Sequence, residues 1–312
     1  MTKPFRIGTR ASALALWQAN WTKTELERKW PGLVVELVPI KTTGDKILNV
    51  PLSEVGGKGL FTKEIDEALL DGRVDAAVHS MKDVPFQLPH GIDFGAVPER
   101  EDPRDALVSS GGRYIDALPP AARIGTSSLR RQVQLKHRFP AMRITSLRGN
   151  VDTRLRKLAD GEFDGIILAL AGLRRLGKES VVTQILDQEF MLPAIGQGAL
   201  GITCRDNDAS TREQLAVLNH VPTRVAVTAE RGLLSALEGS CKVPIAGHAV
   251  LENGQIRLKG LVANLAGTVV VKGEIDGDPK NAHQLGIALG KDLISRGAGS
   301  ILAEISQHGT PR

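Results

Sequence analysis

The stretch Asp75-Ala-Ala-Val-His-Ser-Met-Lys-Asp-Val-Pro85 decides the fold of this chain. Its small apolar run is typical of a buried strand, and the closing proline ends regular structure. A strand that leaves its sheet at His79 places Ser80, Lys82 and Asp83 at its carboxyl end. Ligands of open α/β sheets bind at that edge, so the sequence predicts a binding site here.

Asp83 is the candidate catalytic residue of this stretch. A carboxylate that is partly shielded from water can act as a general acid or base. Because Lys82 and Asp83 are adjacent, their side chains diverge, and each needs its own partner across a cleft. The alternative interpretation is an ordinary lysine and aspartate on a surface loop.

Length and composition bound the class of protein. The chain has 312 residues, more than one hydrophobic core usually holds, so two or three domains are expected. The net charge of +5 favours anionic ligands, whereas an aromatic content of 4% is too low for base-stacking platforms. Cys204 and Cys241 lie far apart without metal-ligand spacing, so neither a zinc site nor a disulfide is predicted, and a reducing compartment is expected.

Targeting and membrane segments are not predicted. The N-terminal residues lack the apolar core of a signal peptide, and the longest apolar run, 166–171, is too short to span a bilayer. We therefore expect a cytoplasmic protein without a membrane partner.

Strands and helices alternate along most of the chain, which predicts parallel βαβ units. The first block comprises strands at 5–9, 33–40 and 75–79, helices at 12–30 and 61–70, and a polar loop at 42–59. A charged crossing at 99–104 precedes the second block, with strands at 123–125, 142–145 and 165–169 and helices at 128–139 and 151–159. A turn at 193–198, a strand at 199–204 and a helix at 210–219 follow.

The order of predicted helices and strands changes from Pro222 onward. One helix is followed by closely spaced strands with an Asn253-Gly254 hairpin turn, and then by a last helix from about 279 to 296. The predicted fold class is therefore α/β, with doubly wound sheets and a small α+β C-terminal domain.

Basic residues gather at the corners between strands and helices: Arg10, Lys58, Arg130, Arg131, Arg148 and Arg154. Helix N-termini attract anions, and guanidinium groups bind carboxylates in a bidentate manner. Several such corners around one cleft would bind a ligand with many carboxylates or phosphates. The alternative is that individual arginines pair with some of the 35 acidic residues.

Two glycine-rich segments invite a nucleotide-binding interpretation. Gly56-Gly-Lys-Gly59 has Leu52 where a phosphate loop needs glycine, and no hydroxyl residue follows its lysine. The segment 196–201 has the spacing of a dinucleotide-binding motif, but Pro193 precedes it and a β-like run follows it. Nucleotide binding is therefore disfavoured.

Cys241 lies in a loop of small residues, directly after a predicted helix and beside Lys242. A neighbouring cation lowers the pKa of a thiol, and an exposed thiol suits covalent attachment. The alternative is a small core hydrophobe, which is the interpretation that fits Cys204 in its strand pattern.

Seven ordered motifs carry a family resemblance: Arg6-Ile-Gly-Thr-Arg10 with Ser12, Val55-Gly-Gly-Lys-Gly-Leu-Phe61, Val78-His-Ser-Met-Lys-Asp-Val-Pro85, Gly125-Thr-Ser-Ser-Leu-Arg-Arg131, Ser146-Leu-Arg-Gly-Asn150 with Arg154, Leu192-Pro-Ala-Ile-Gly-Gln-Gly198 and Glu238-Gly-Ser-Cys-Lys-Val-Pro244. With these motifs the chain resembles the porphobilinogen deaminase family, from Arg6 into the C-terminal domain. It departs from the family pattern at Ser240, where glycine is common, and at Lys242, where glutamine is common.

The resemblance implies a transferase of porphyrin and haem biosynthesis that acts as a monomer. A dipyrromethane cofactor would be held by a thioether to Cys241. Four porphobilinogen molecules would be added head to tail with loss of ammonia, and water would release the linear hydroxymethylbilane. Asp83 matches the family's catalytic aspartate, which assists loss of the amino group and stabilises cationic intermediates.

The resemblance also implies two sets of binding residues. The cofactor set is Cys241, Lys82, Ser128, Arg130, Arg131, Arg154, Thr126 and Asp45, and the substrate set is Arg10, Ser12, Arg148, Lys58, Arg175 and Gln197. No metal is expected.

The family fold implies two doubly wound domains of the periplasmic-binding-protein type. The expected domains are 1–98 with 199–217, which forms the catalytic cleft, then 104–192, which binds carboxylates, and 221–312, which carries the cysteine. Two other functions stay open at this point: a polycarboxylate-binding protein without catalysis, suggested by the cleft, and a nucleic-acid-binding protein, which the scarce aromatics disfavour.

Overall fold

The structure is a computed structural model that describes residues 3–46, 59–238 and 243–308. The strands of these residues are β1 (Phe5–Thr9), β2 (Val35–Pro39), β3 (Ala76–Ser80), β4 (Ile92–Ala96), β5 (Asp105–Ser109), β6 (Arg123–Gly125), β7 (Arg143–Thr145), β8 (Gly165–Ala169), β9 (Gln184–Leu186), β10 (Leu200–Arg205), β11 (Ile245–Glu252), β12 (Gln255–Ala263) and β13 (Val270–Gly277). The helices are α1 (Ala13–Lys29), α2 (Thr43–Lys46), α3 (Lys63–Leu70), α4 (Leu129–Arg138), α5 (Val151–Ala159), α6 (Leu170–Arg175), α7 (Ala209–Ala216), α8 (Val221–Ala236), α9 (Ala282–Leu293) and α10 (Gly299–His308).

Two five-stranded sheets share one topology. The first has the order β2-β1-β3-β10-β4, and the second has the order β7-β6-β8-β5-β9. In each sheet the three strands at one side are parallel, and the fourth strand pairs antiparallel between the third strand and the edge strand. This antiparallel strand is β10 in the first sheet, which returns from the second half of the chain, and β5 in the second sheet.

The return of β10 to the first sheet requires two crossings between the sheets. Residues 97–104 lead from β4 to β5, and residues 187–199 lead from β9 to β10. Two doubly wound units joined by two crossings form the periplasmic-binding-protein architecture, so the predicted fold class is confirmed. The charged segment at 99–104 lies in the first crossing, as the sequence analysis predicted.

The third sheet is an antiparallel meander of β11, β12 and β13. Its first hairpin turns at Asn253 and Gly254, whose φ angles are 51° and 78°. Positive φ at both central residues defines the type I′ turn that asparagine and glycine favour, so the predicted hairpin is confirmed. Helices α8 and α9 pack on this sheet around a core that includes Leu233, Leu258 and Leu289.

Backbones of α8 and α9 approach each other at two glycines. A Cβ added to Gly286 would lie 2.1 Å from the carbonyl oxygen of Ala229, and one added to Gly232 would lie 2.2 Å from that of His283. Any side chain at either position would push the helices apart, so the third domain depends on glycine there.

Several elements differ from the sequence prediction. Strands β4, β5 and β9 and helix α6 were not predicted, and α2 lies inside the predicted polar loop, whose residues 47–58 fall outside the described part. The predicted last helix is instead α9, a π-helical turn and α10. Gly297 in that turn has a φ of 108°, which a right-handed helix cannot accommodate.

A fully buried carboxylate, that of Glu230 on α8, joins the third domain to both crossings. Its oxygens accept hydrogen bonds from Arg100 Nη1 at 2.5 Å, from the amide of Gly196 at 2.6 Å and from the amide of Ala249 at 2.8 Å. The guanidinium of Arg100 also donates from Nε to the carbonyl oxygen of Gln197 at 2.8 Å. One acid therefore holds α8, β11 and the two crossings together.

Glu230→Gln should destabilise the fold because it leaves Arg100 buried without a countercharge. Removing one partner of a buried ion pair costs about 3–5 kcal/mol, which should lower Tm by roughly 5–10 °C in calorimetry. Glu25→Gln is the control, since Glu25 pairs with Arg28 at the surface and such pairs contribute about 0.5 kcal/mol. Equal Tm values for the two variants would contradict the central role of Glu230.

Candidate active site

The predicted site residues follow the carboxyl ends of parallel strands in both sheets. Arg10 follows β1, Lys82 and Asp83 follow β3, Thr126 and Ser128 follow β6, Arg148 follows β7, and Arg175 lies in α6 after β8. Arg175, on the side of the second sheet, contacts two other parts of the molecule. Its Nη2 donates to the carbonyl oxygen of Gly198 in the second crossing at 2.6 Å, and its guanidinium lies 5.9 Å from the ring of Trp17 in α1. The fold therefore brings these corners around one cleft.

Asp83 ends a 3₁₀ turn directly after β3 and lines a pocket of about 60 Å³. Arg10 and Ser12 line the same pocket. Within the described residues the carboxylate of Asp83 accepts no hydrogen bond and forms no salt bridge. It is a half-buried acid available to a ligand.

Arg10 is held in place on one edge. Its Nε and Nη2 donate to Asp45, the shortest contact being 2.5 Å, and its guanidinium lies 4.2 Å from the ring centroid of Phe61. Burial raises the pKa of the Asp45 carboxyl, but hydrogen bonds from Arg10 and Thr42 outweigh burial and lower it overall. The ionised Asp45 therefore orients Arg10, and Nη1 has no acceptor within the described part of the chain.

Lys82 extends towards the second crossing. Its Nζ lies 3.5 Å from Gln197 Oε1. Burial lowers the pKa of Lys82 to about 8, the neighbouring Asp83 opposes this shift, and the positive charge of Arg131 adds to it. The ammonium is therefore close to losing its proton under mildly alkaline conditions.

Asp105, the first residue of β5, is the fully buried acid beneath the cationic side of the cleft. It accepts from Arg130 Nη2 at 2.8 Å, from Arg131 Nη2 at 2.7 Å and from Gln197 Nε2 at 2.8 Å. Burial raises the pKa of this carboxyl, but the two guanidinium groups outweigh burial and hold it well below its usual range. Gln197 also donates to the carbonyl oxygen of Pro103, so both of its amide donors are used within the protein.

The remaining cations of the cleft have little compensation. Burial, together with the charges of Arg131 and Arg148, lowers the pKa of Arg154 to about 10. Burial also lowers the pKa of Arg175 to about 10. Nε of Arg130 is a buried donor without a hydrogen-bond partner among the described residues.

Thr126 and Ser128 shape the N-terminus of α4. Thr126 is buried, and its Oγ1 accepts from the amide of Ser128 at 3.2 Å. Ser128 is the N-cap residue of α4 but makes no capping bond with its side chain, so its hydroxyl is available to an anion at this helix end. Arg148, half-buried on the loop after β7, lies on the same side of the second sheet.

Two predicted site residues, Cys241 and Lys58, lie outside the described residues. Cys204 is fully buried in β10, and burial raises the pKa of its thiol to about 11, which fits the predicted core role. Sequence reasoning missed Asp105 and Glu230, two acids that organise the cations. Asp105 carried one weak signal, because it immediately precedes the apolar run Ala106-Leu-Val108.

Comparison with known protein families shows which family the chain belongs to. Residues 5–213 match the family model described as porphobilinogen deaminase, dipyromethane cofactor binding domain. The chain belongs to the porphobilinogen deaminase family. Residues 225–295 match the model of the family's C-terminal domain, so the two models cover most of the three sheets.

Curated relatives agree with this assignment over nearly the full length. A porphobilinogen deaminase from Geobacter metallireducens is 54% identical over 310 residues, which cover 99% of this chain and 97% of the relative. One from Pelobacter propionicus is 53% identical over 305 residues, with 98% of each chain covered.

Solved structures give weaker likenesses. The VFT2 domain of BvgS from Bordetella pertussis has a TM-score of 0.41 at 12% identity, covering 68% of this chain and 84% of that domain. An arginine-specific periplasmic binding protein from Salmonella typhimurium has a TM-score of 0.39 at 12% identity, covering 70% of this chain and 92% of that protein. Both likenesses are distant, whereas the order of strands in the two five-stranded sheets defines the fold.

The described residues contain neither a candidate membrane span nor a candidate metal cluster. None of the helices in these ranges is long and apolar enough to cross a membrane. Nor do residues 3–46, 59–238 and 243–308 contain a group of three or more histidine, cysteine or acidic residues that could hold a metal.

The described cations fit the family's dipyrromethane cofactor. Each pyrrole ring of that group bears an acetate and a propionate, so the cofactor brings several carboxylates into the cleft. The site offers Lys82 and Arg154 with incomplete compensation, and Arg130 Nε, which has no hydrogen-bond partner among the described residues, is a donor of the kind that a carboxylate satisfies. The donor set therefore suits a polycarboxylate.

Lys82→Arg should change how attachment of pyrrole units to the apoprotein depends on pH. Lys82 loses its charge as the pH rises through about 8, whereas arginine stays charged. The rate of attachment, followed by intact mass, should therefore fall less in the variant, and the variant-to-wild-type ratio should rise about tenfold from pH 7 to pH 9. A ratio independent of pH would contradict this role, and Lys63→Arg, at an exposed position of α3, is the control expected to leave the ratio flat.

Proposed function

We propose that this chain is a hydroxymethylbilane synthase. It joins four porphobilinogen molecules head to tail onto a dipyrromethane bound to Cys241, releases one ammonia for each unit, and yields hydroxymethylbilane on hydrolysis. Family membership over nearly the whole chain supports the reaction class. The observation that carries the role of the cleft is the half-buried carboxylate of Asp83, which accepts no hydrogen bond within the described residues and lines a pocket with Arg10 and Ser12.

Asp83 serves the chemistry in three ways. The amino group of porphobilinogen must leave as ammonia, and a protonated carboxyl within reach can supply the proton. The pyrrole left behind carries positive charge, which an ionised carboxylate stabilises in a site partly shielded from water. When a new carbon–carbon bond forms, the same carboxylate can accept the proton that the ring loses.

The cations hold the carboxylates of the rings. Arg10 offers Nη1, since Asp45 occupies its other edge, and Ser12 offers a hydroxyl in the same pocket. We assign Arg148, Lys58, Arg175 and Gln197 to the substrate side with them. For Gln197 the described contacts favour an indirect role, because its amide bridges Asp105 and Lys82.

The cofactor side comprises Lys82, Thr126, Ser128, Arg130, Arg131 and Arg154, with Cys241 as the attachment point and Asp45 as the residue that orients Arg10. Asp105 fixes the directions of the two adjacent guanidinium groups before any ligand arrives. When bound, dipyrromethane supplies the pyrrole end to which the first substrate unit is joined.

We infer that the domains are 1–98 with 199–217, 104–192 and 221–312. The extent of the first domain is supported by the pairing of β10 with β3 and β4. The extent of the third domain is supported by the separate meander after α8. We also infer that the chain acts as a monomer in the cytoplasm, where its two cysteines stay reduced.

The intact mass of the wild type beside Cys241→Ala tests the anchor. The wild type should carry an excess equal to two condensed pyrrole units, and the variant should not, because the thioether needs the thiol. Cys204→Ala is the matched control and should keep the excess, since Cys204 is buried in β10. Wild-type protein that gains no mass on incubation with porphobilinogen would contradict the proposal.

Asp83→Asn should fold normally and retain the cofactor, but kcat should fall by at least about 100-fold because asparagine neither transfers a proton nor carries charge. Asp93→Asn changes a partly exposed acid on β4 that pairs with Arg212; it is the control and should keep kcat within about twofold. Undetectable turnover by the wild type would favour the polycarboxylate-binding alternative. Near-normal turnover by the Asp83 variant would remove this residue from the mechanism.

A further inference from the structure

A buried amide lies behind the pocket of Asp83. Gln18 on α1 is only 2% exposed, and its Nε2 donates to Ser80 Oγ at 2.8 Å. Ser80 is the last residue of β3, three positions before Asp83, and both residues line the same pocket with Gln18. Burying an amide is costly unless it is hydrogen-bonded, so packing between α1 and β3 alone would favour an apolar side chain at this position.

The hydrogen bond from Gln18 determines what the Ser80 hydroxyl can do. One lone pair of its oxygen already accepts from the amide, so its proton is directed away from Gln18 and can be donated elsewhere. Within the described residues no acceptor receives that proton, and the carboxylate of Asp83 does not accept it either. Ser80 is therefore a hydrogen-bond donor prepared for a ligand.

Ser12, which lines the same pocket, is prepared in the same way. Its Oγ accepts from the amide of Ala15 at 3.3 Å as the N-cap of α1, and its proton has no acceptor among the described residues. Together with Nη1 of Arg10, the pocket thus offers two hydroxyl donors and one guanidinium donor beside Asp83. Three converging donors of this kind suit one carboxylate.

We propose that Gln18 is a positioning residue for the substrate: it holds Ser80 as a donor to a ring carboxylate of porphobilinogen in the pocket beside Asp83. This inference rests on the proposed function and adds Ser80 and Gln18 to its substrate side. The contact binds the ring and leaves the proton transfer to Asp83, so its loss should raise KM more than it lowers kcat.

A double-mutant cycle tests whether Gln18 acts on the substrate through Ser80. Gln18→Met, which keeps the length of the side chain without its hydrogen bond, should raise KM for porphobilinogen about fivefold, and Ser80→Ala about tenfold, with kcat within twofold in both. Because Gln18 acts through Ser80, the double variant should have the KM of Ser80→Ala alone. Multiplied effects would overturn the proposal, and Gln18→Leu repeats the cycle if the methionine variant does not fold.

Gln18→Glu tests the hydrogen bond itself, because a residue that served only for packing would not make KM depend on pH. An ionised glutamate only accepts hydrogen bonds, so it would take the Ser80 proton away from the substrate, and KM should rise at least tenfold at pH 8. A protonated glutamic acid can donate again, so the ratio of variant to wild-type KM should fall as the pH is lowered to 5.5. A ratio that does not change with pH would overturn the proposal.

Thr22→Val controls for disturbance of α1. Thr22 is fully buried one turn further along the helix, and its hydroxyl donates to the backbone oxygen of Gln18. This variant should leave KM unchanged, and a rise equal to that of Gln18→Met would show that α1 packing alone sets KM. A wild type without turnover overturns the proposed function together with this inference. An active wild type in which the Gln18 and Ser80 substitutions change KM independently overturns the positioning role alone.

Discussion

One buried carboxylate, that of Asp105, governs the geometry of the cleft. It is the first residue of β5, directly after the first crossing, and it accepts from two adjacent arginines of α4 and from Gln197 of the second crossing. Without this negative charge, two guanidinium groups would repel each other in a region that water barely reaches. Because the acid lies between them, each arginine has a fixed direction before a ligand arrives, and both crossings are tied to the same point.

The cleft nevertheless keeps a surplus of positive charge. Asp105 is one acid for Arg130, Arg131 and the nearby Lys82, while Arg154 faces other cations, and the pKa values of Lys82, Arg154 and Arg175 are lowered. Such an arrangement is unfavourable in the empty protein and becomes favourable when carboxylates enter. A ligand that neutralises the surplus should therefore also stabilise the folded chain. Preorganised donors lose little freedom on binding, so the same arrangement favours affinity.

Local signals allowed much of the fold to be predicted. Ser12 caps α1, Asn253-Gly254 forms its hairpin turn, and β3 ends where its polar residues begin, because each depends on neighbours in sequence. The strand β5 was missed because its first residue is a charged group whose burial is explained by arginines 25 and 26 positions away and by the amide of Gln197. The arginines of α4 could be assigned to the cleft from their sequence motif. The acid that orients them and the hydrogen bond from Gln18 to Ser80 could not be predicted, because both depend on tertiary contacts.

The returning strand β10 has a consequence for synthesis of the chain on the ribosome. It pairs Leu200 with Ser80 and fills the place between β3 and β4, so the first sheet stays incomplete until all strands of the second sheet have been made. The second sheet needs only the continuous stretch from β5 to β9, and it can close earlier. N-terminal elements of most chains fold first, but here the late strand raises the contact order of the first sheet. During that interval the edges of β3 and β4 are unpaired, which makes the nascent first domain the part of the chain that most needs protection from aggregation.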